Sequence, residues 1–226
     1  IALGFKDFLL ENLNGETPAN YFSKFKKILT QAIRDKIINF NPTENISVRR
    51  NDSLKKEILT MEEIQMLAAT PIGNVNVKKA FIFSCYTGLR FCDVSTMKWK
   101  NVDIRNKKVV LIQSKTKQRV AINLHESVID LLGEPNDDDK LVFNLPSHTA
   151  CLDNIERWVK KANIVKKITW HCARHSFATN IIFFGADVNT ASSLLGHTSL
   201  NYTQLYTHVV NELKEKAVDN LPAIKL

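Results

Sequence analysis

Between residues 102 and 124 the chain reads VDIRNKKVVLIQSKTKQRVAINL. Apolar and polar residues alternate there in short runs broken by polar turns. A period of two suits half-buried strands and cannot line one face of a helix. The stretch predicts a three-stranded antiparallel sheet made of two hairpins, with SKTKQ at the second tip. The rest of the chain carries helical periodicity. The fold class that follows is mainly α with one small three-stranded antiparallel sheet.

The helical segments announce their ends. In ETPANYFSKFKKILTQAIRDKIINFNP, Thr17 is placed as an N-cap and Pro18 at the first helical position. Phe22, Phe25, Ile28, Leu29, Ala32, Ile33 and Ile37 form an apolar stripe, and Asn41-Pro42 is expected to stop the helix. Lys24, Lys26, Lys27, Arg34 and Lys36 face a single acid, Asp35, so this helix offers a one-sided basic face. Residues 43–57 (TENISVRRNDSLKKE) are polar and poor in apolar side chains, as an interdomain connection is. Thr60-x-x-Glu63 is a capping box that starts a new helix. VKKAFIFSCYTG is a strongly apolar helix closed by Gly88 in a left-handed C-cap, and LRFCDVSTM begins another. Beyond residue 125 the pattern is helical, with breaks at 133–139, 145–149, Gly185 and Gly196. The division read from this pattern is a helical module at 1–46, a linker at 47–57 and a second domain at 58–226. The chain opens on Ile1 and runs straight into FKDFLL, and is read as part of a longer protein.

Charge narrows the partners. Across 226 residues the formal net charge is +8, and such an excess of Lys and Arg favours a polyanion, because neutralised phosphates release counterions. Cys85, Cys92, Cys151 and Cys172 show no C-x-x-C spacing, hence no disulfide framework or zinc pattern; reduced thiols in a cytosol are expected. No apolar run approaches a membrane span, so no membrane association is expected.

Four short stretches carry side chains with chemistry. HCARHSFATN places His171 and His175 one helical turn apart. That pair can hold zinc, but the general-base Glu of H-E-x-x-H is replaced by Cys172. A helix start bearing His, Arg and His suits an anion better. TGLRFCD ends one helix on a glycine and presents Arg90, a side chain suited to bidentate phosphate binding. SKTKQ puts Lys115 and Lys117 on a hairpin tip, from which a lysine can protonate a leaving oxygen. LLGHTSLNYTQLYTHVV holds His197, Tyr202, Tyr206 and His208. A phenol attacks only when a base or positive charge favours phenolate.

Taken in order, TGLRFCDV, SKTKQRVAINL, HCARHSFAT and LLGHTSLNYTQLYTHV resemble the tyrosine recombinases, the phage-integrase family. The resemblance spans residues 58–226 as a catalytic domain of the tyrosine-recombinase/type IB topoisomerase-like fold. Residues 1–46 resemble the second half of the family's helical core-binding domain. Cys92-Asp93 and Ala173 depart from residues many members carry; Ala173 and the Arg90-Phe91-x-Asp93 pattern look most like integrases of conjugative transposons and related bacterial mobile elements.

The resemblance implies a site-specific recombinase that cleaves and rejoins DNA through a 3′-phosphotyrosine, with Tyr206 as nucleophile. It implies Arg90 and Arg174 as a clamp on the phosphate, Lys115 as general acid with Lys117 as runner-up, His171 as acid/base and His197 as a phosphate ligand. Asp93 and His175 are expected to hold the site in shape, and Tyr202 and His208 are given no chemistry. Lys24, Lys26, Lys27, Arg34 and Lys117 are expected to contact DNA. No metal, ATP or other cofactor is implied. The implied partner is double-stranded DNA in a bacterial cytoplasm, with four copies assembled on it and a monomer free in solution. The rival readings are a type IB topoisomerase, a catalytically silent DNA-binding protein on the same fold, and a zinc hydrolase built on His171 and His175.

Overall fold

The computed structural model describes residues 1–49 and 57–196. The chain divides into two compact units, Ile1–Lys56 and Glu57–Leu226.

The first unit is a pair of helices, α1 (Ala2–Asn12) and α2 (Thr17–Arg34). Leu9, Ala19 and Phe22 are buried between them. Phe5 meets Phe25 edge-on at 4.8 Å between centroids, a favoured aromatic geometry. Helix α2 starts one residue earlier than its sequence signals indicate: Glu16 is the N-cap, and Thr17 and Pro18 fill the first turn. It also ends before Asn41-Pro42. Lys36 takes a left-handed φ of 57°, and the amides of Lys36 and Ile37 donate back to the carbonyls of Ile33 and Ala32 at 2.9 and 2.8 Å. That is a Schellman stop with lysine where glycine is usual. Two members of the apolar stripe are therefore misplaced. Ile37 lies past the stop and is 73% exposed, and Ile28 is 66% exposed. A two-helix unit covers only one side of α2.

The second unit is built around two helices that are apolar on nearly every side, α4 (Val75–Thr87) and α8 (Trp170–Phe183). A helix with no polar face must be surrounded. Phe81 of α4 lies edge-on to Trp170 of α8 at 5.7 Å and to Trp158 at 6.0 Å. The Trp170 indole donates to Ser84 Oγ at 3.1 Å, so its buried N–H is satisfied. Around this pair sit α3 (Met61–Ala69), the short α5 (Phe91–Ser95), α6 (Glu126–Leu132), α7 (His148–Lys161) and α9 (Val188–Leu195). The capping box at Thr60 and Glu63 forms as expected, and Gly88 closes α4 with φ 67°. Helix α7 buries Cys151, Ile155, Trp158 and Val159, one helical stripe. A break at 162–169 went unread in the sequence; it begins where Asn163 adopts φ 56°. The extended entry to α3 is pinned to α8: the Leu59 amide donates to Ser176 Oγ at 2.8 Å, and Asn180 Nδ2 donates to the Leu59 carbonyl at 3.1 Å.

The sheet forms where the alternation predicts it. Strands β1 (Val102–Asp103), β2 (Lys108–Ile112) and β3 (Arg119–Asn123) are antiparallel in the order β1-β2-β3. Val109 pairs with Ile122 and Leu111 with Val120, and all four are buried while Ile112 is exposed. The second hairpin closes with Lys117 at φ 57° and its amide donating to the Gln113 carbonyl at 2.9 Å. The fold is thus mainly helical with one small antiparallel sheet, as the sequence indicates. Among the described residues no helix is long and apolar enough to cross a membrane.

Candidate active site

The left-handed turn at Gly88 lets α4 stop abruptly, so the chain reaches Arg90 in an extended conformation at the N-cap of α5. Arg90 is mostly buried, its side chain 16% exposed. Its Nη1 donates to Gln113 Oε1 at 2.8 Å and lies 4.0 Å from Asp93 Oδ2. Asp93 is buried, and its Oδ1 accepts from the Ser114 amide at 2.7 Å. One carboxylate thus touches the arginine and anchors the turn that carries Lys115. Beside it, burial and the Asp93 charge push the Cys92 thiol up, away from thiolate.

Arg174 is 4% exposed. Its Nη1 donates to the Gly88 carbonyl at 2.8 Å and its Nη2 to the Leu195 carbonyl at 2.7 Å. The guanidinium bridges the end of α4 and the end of α9. Both of these carbonyls are neutral, and together they fix the plane of the cation. The close approach depends on glycine: a Cβ on Gly88 would sit 2.5 Å from Phe177 Cδ1 and 2.6 Å from Leu195 Cδ2.

His171 is exposed in the first turn of α8, its ring perpendicular to that of the buried His175 with centroids 4.6 Å apart. Lys115 and Lys117 are exposed on the second hairpin turn. On α2, Lys24, Lys27 and Arg34 are exposed, with Lys24 over the Tyr21 ring at 5.7 Å. Lys26 is different: its ammonium donates to the Ile46 carbonyl at 2.9 Å and is partly buried, so it ties the segment after α2 to the helix. His197, Tyr202, Tyr206 and His208 lie outside the described residues.

Gln113 was missed by sequence reading. It is fully buried and bonds Arg90, Thr116 and the Leu195 carbonyl. A signal existed: Val109, Leu111 and Gln113 share the inward parity of β2, and an amide on a buried parity needs partners. A cleft of about 320 Å³ opens beside the site, lined by Gln118, Arg119, Val120, Ala121, Ser193, Leu194 and Gly196. A larger one, about 850 Å³ along α7 and residues 163–169, contains none of the candidate residues.

Comparison with known proteins extends this picture. The sequence model described as Phage integrase family matches residues 57–212, and that of the Phage integrase SAM-like domain matches residues 2–48. The chain belongs to the phage integrase family, the tyrosine recombinases. This integrase-family chain is 27% identical to a tyrosine recombinase of Thermosipho africanus (strain TCF52B) over 224 residues, covering 93% of the chain and 79% of that relative. It is also 27% identical to the tyrosine recombinase XerD of Staphylococcus aureus (strain N315) over 210 residues, covering 84% and 71%. In fold it is similar to the Tn1549 transposon integrase in complex with transposon right end DNA, with a TM-score of 0.77 at 20% identity over 98% of this chain and 85% of that one. The XerH site-specific recombinase bound to palindromic difH substrate gives 0.73 at 20% identity over 97% and 72%.

Proposed function

We propose that this chain is a site-specific DNA recombinase that cleaves and rejoins strands through a 3′-phosphotyrosine, without metal or ATP. Family membership supports the reaction class. The single observation that carries the chemistry is the joint between Arg90 and Arg174. One guanidinium reaches the Gly88 carbonyl, two residues before the other arginine, which is held by the Gln113 amide oxygen and lies 4.0 Å from the Asp93 carboxylate. Two oriented cations of that kind suit the charge that gathers on the non-bridging oxygens of a pentacoordinate phosphorus.

In the proposed reaction the Tyr206 oxygen attacks phosphorus and the bond to the 5′-oxygen breaks. The phenol proton passes to a base, with His171 in that role. The departing 5′-oxygen takes a proton from Lys115, whose exposed turn is free to reach a groove, and leaves as a hydroxyl. A 5′-hydroxyl of the partner strand then reverses the step, so the energy of the phosphodiester stays in the covalent link. His197 would hydrogen-bond a phosphate oxygen, and Asp93 and His175 would hold neighbouring groups in place. Lys24, Lys27, Arg34 and Lys117 would meet DNA phosphates, while Lys26 serves the fold of its own unit. Four protomers on two duplexes are required for complete exchange, from a protein monomeric in solution. The transposon right end DNA bound by the Tn1549 integrase supports a double-stranded DNA partner, as does the palindromic difH substrate bound by XerH, and the bacterial relatives support a cytoplasmic setting.

The test is covalent trapping on a nicked suicide duplex, resolved on a denaturing gel, with Tyr206→Phe and Tyr202→Phe compared with the parent. A protein–DNA band lost only in Tyr206→Phe is expected. Loss only in Tyr202→Phe would move the nucleophile four residues towards the N-terminus, and relaxation of plasmids regardless of sequence would favour a topoisomerase.

A further inference from the structure

We infer that Gln113 is the positioning residue that aims Arg90 at the scissile phosphate, and that it does so by being a neutral amide. The inference rests on the recombinase reading above. Gln113 follows β2 directly and is 0% exposed. Its Oε1 accepts from Arg90 Nη1 at 2.8 Å and from Thr116 Oγ1 at 2.7 Å, and its Nε2 donates to the Leu195 carbonyl at 3.1 Å. This pattern sets the orientation of the amide, because the flipped form would face donors to donors and a carbonyl to a carbonyl. One side chain therefore joins three segments: the start of α5, the turn carrying Lys115, and the end of α9, two residues before His197.

The Leu195 carbonyl is shared with Arg174 Nη2 at 2.7 Å, so a continuous chain runs from Arg90 through Gln113 and Leu195 to Arg174. A Cβ on Gly196 would come within 3.0 Å of Gln113 Oε1, so the backbone at 196 closes directly over the amide. The chemical identity matters as much as the geometry. Arg90 already has one carboxylate nearby, Asp93 Oδ2 at 4.0 Å; a second at 113 would occupy the space of the amide, pair with the same guanidinium and compete further with the phosphate for its charge. A leucine would leave the Leu195 carbonyl and the Thr116 hydroxyl short of a partner and let the guanidinium turn. A neutral group that both accepts and donates holds Arg90 in place without adding a second negative charge beside that of Asp93.

The experiment compares the parent chain with Gln113→Leu and Gln113→Glu. The probe is a nicked duplex recovered from a randomised pool by covalent capture on the parent chain, prepared with either a normal phosphate or a methylphosphonate at the scissile position. Adduct formation is followed in a single turnover at saturating protein. DNA affinity is read by fluorescence anisotropy and folding by thermal melting. Both variants should bind DNA within about twofold of the parent and cleave the normal duplex about 10- to 100-fold more slowly, the loss for a hydrogen bond to a charged group. That penalty should shrink to a few-fold on the methylphosphonate, which lacks the ionised oxygen Arg90 would meet. A penalty of the same size on both substrates, or none, overturns the inference, as does a defect carried wholly by weaker DNA binding or a lower melting temperature. Because Gln113→Glu keeps the shape and the Arg90 contact, it remains informative if Gln113→Leu does not fold. Failure of the parent to yield any adduct would sink the recombinase reading and this inference with it, an outcome separable from failure of the variants alone.

Discussion

A buried guanidinium is tolerable only when its fork of donors meets fixed acceptors. Arg174 meets this condition through two backbone carbonyls on different helices. Lysine carries the charge but cannot span both carbonyls as a planar fork. Arg174→Lys is therefore expected to lower single-turnover adduct formation about 100-fold or more, the cost of losing one oriented stabiliser of transition-state charge. Gly88 makes a second residue-level prediction. Its φ of 67° and the 2.5 Å gap to Phe177 leave no room for a methyl group. Gly88→Ala should destabilise the fold by about 1–3 kcal/mol, read in chemical denaturation, and should also slow cleavage because the Gly88 carbonyl holds Arg174.

At the scale of elements, stability is concentrated where α4 meets α7 and α8. Phe81 is fully buried and touches two tryptophans edge-on. Phe81→Ala should cost about 3–5 kcal/mol. Ile112→Thr, on the solvent side of β2, should stay within about 0.5 kcal/mol; a large loss there would mean that this face is covered. The same elements show which signals survive in a one-dimensional reading. The capping box at Thr60, the left-handed Gly88 and the period-two strands are set by hydrogen bonds within a few residues, so local sequence reports them. The stop at Lys36 is also local, and there the following amide finds the Ala32 carbonyl, yet nothing in the lysine side chain announces a left-handed φ. Ile28 looked buried because a stripe indicates which face is apolar but not how many neighbours will cover it.

At the scale of the whole molecule, the net charge of +8 predicts DNA affinity that falls steeply with salt, with a log–log slope near 0.9 per phosphate neutralised. Lys27→Ala and Arg34→Ala, both exposed on α2, should each reduce that slope by about 1. Lys26→Ala should change it less, since its ammonium is engaged by the Ile46 carbonyl. Anisotropy titrations over a range of salt concentrations distinguish the three. Sequence by itself determined the fold class, the caps, the strand pairing and the family, because each rests on local periodicity or on residue types in a preserved order. It also singled out Arg90, Lys115, His171 and Arg174 as chemical candidates. Tertiary structure alone decided that Arg174 bonds the carbonyls of Gly88 and Leu195, that Lys26 braces its unit, and that Gln113 joins Arg90 to the end of α9. Those are contacts between residues tens of positions apart, and their partners are chosen by packing rather than by neighbours along the chain.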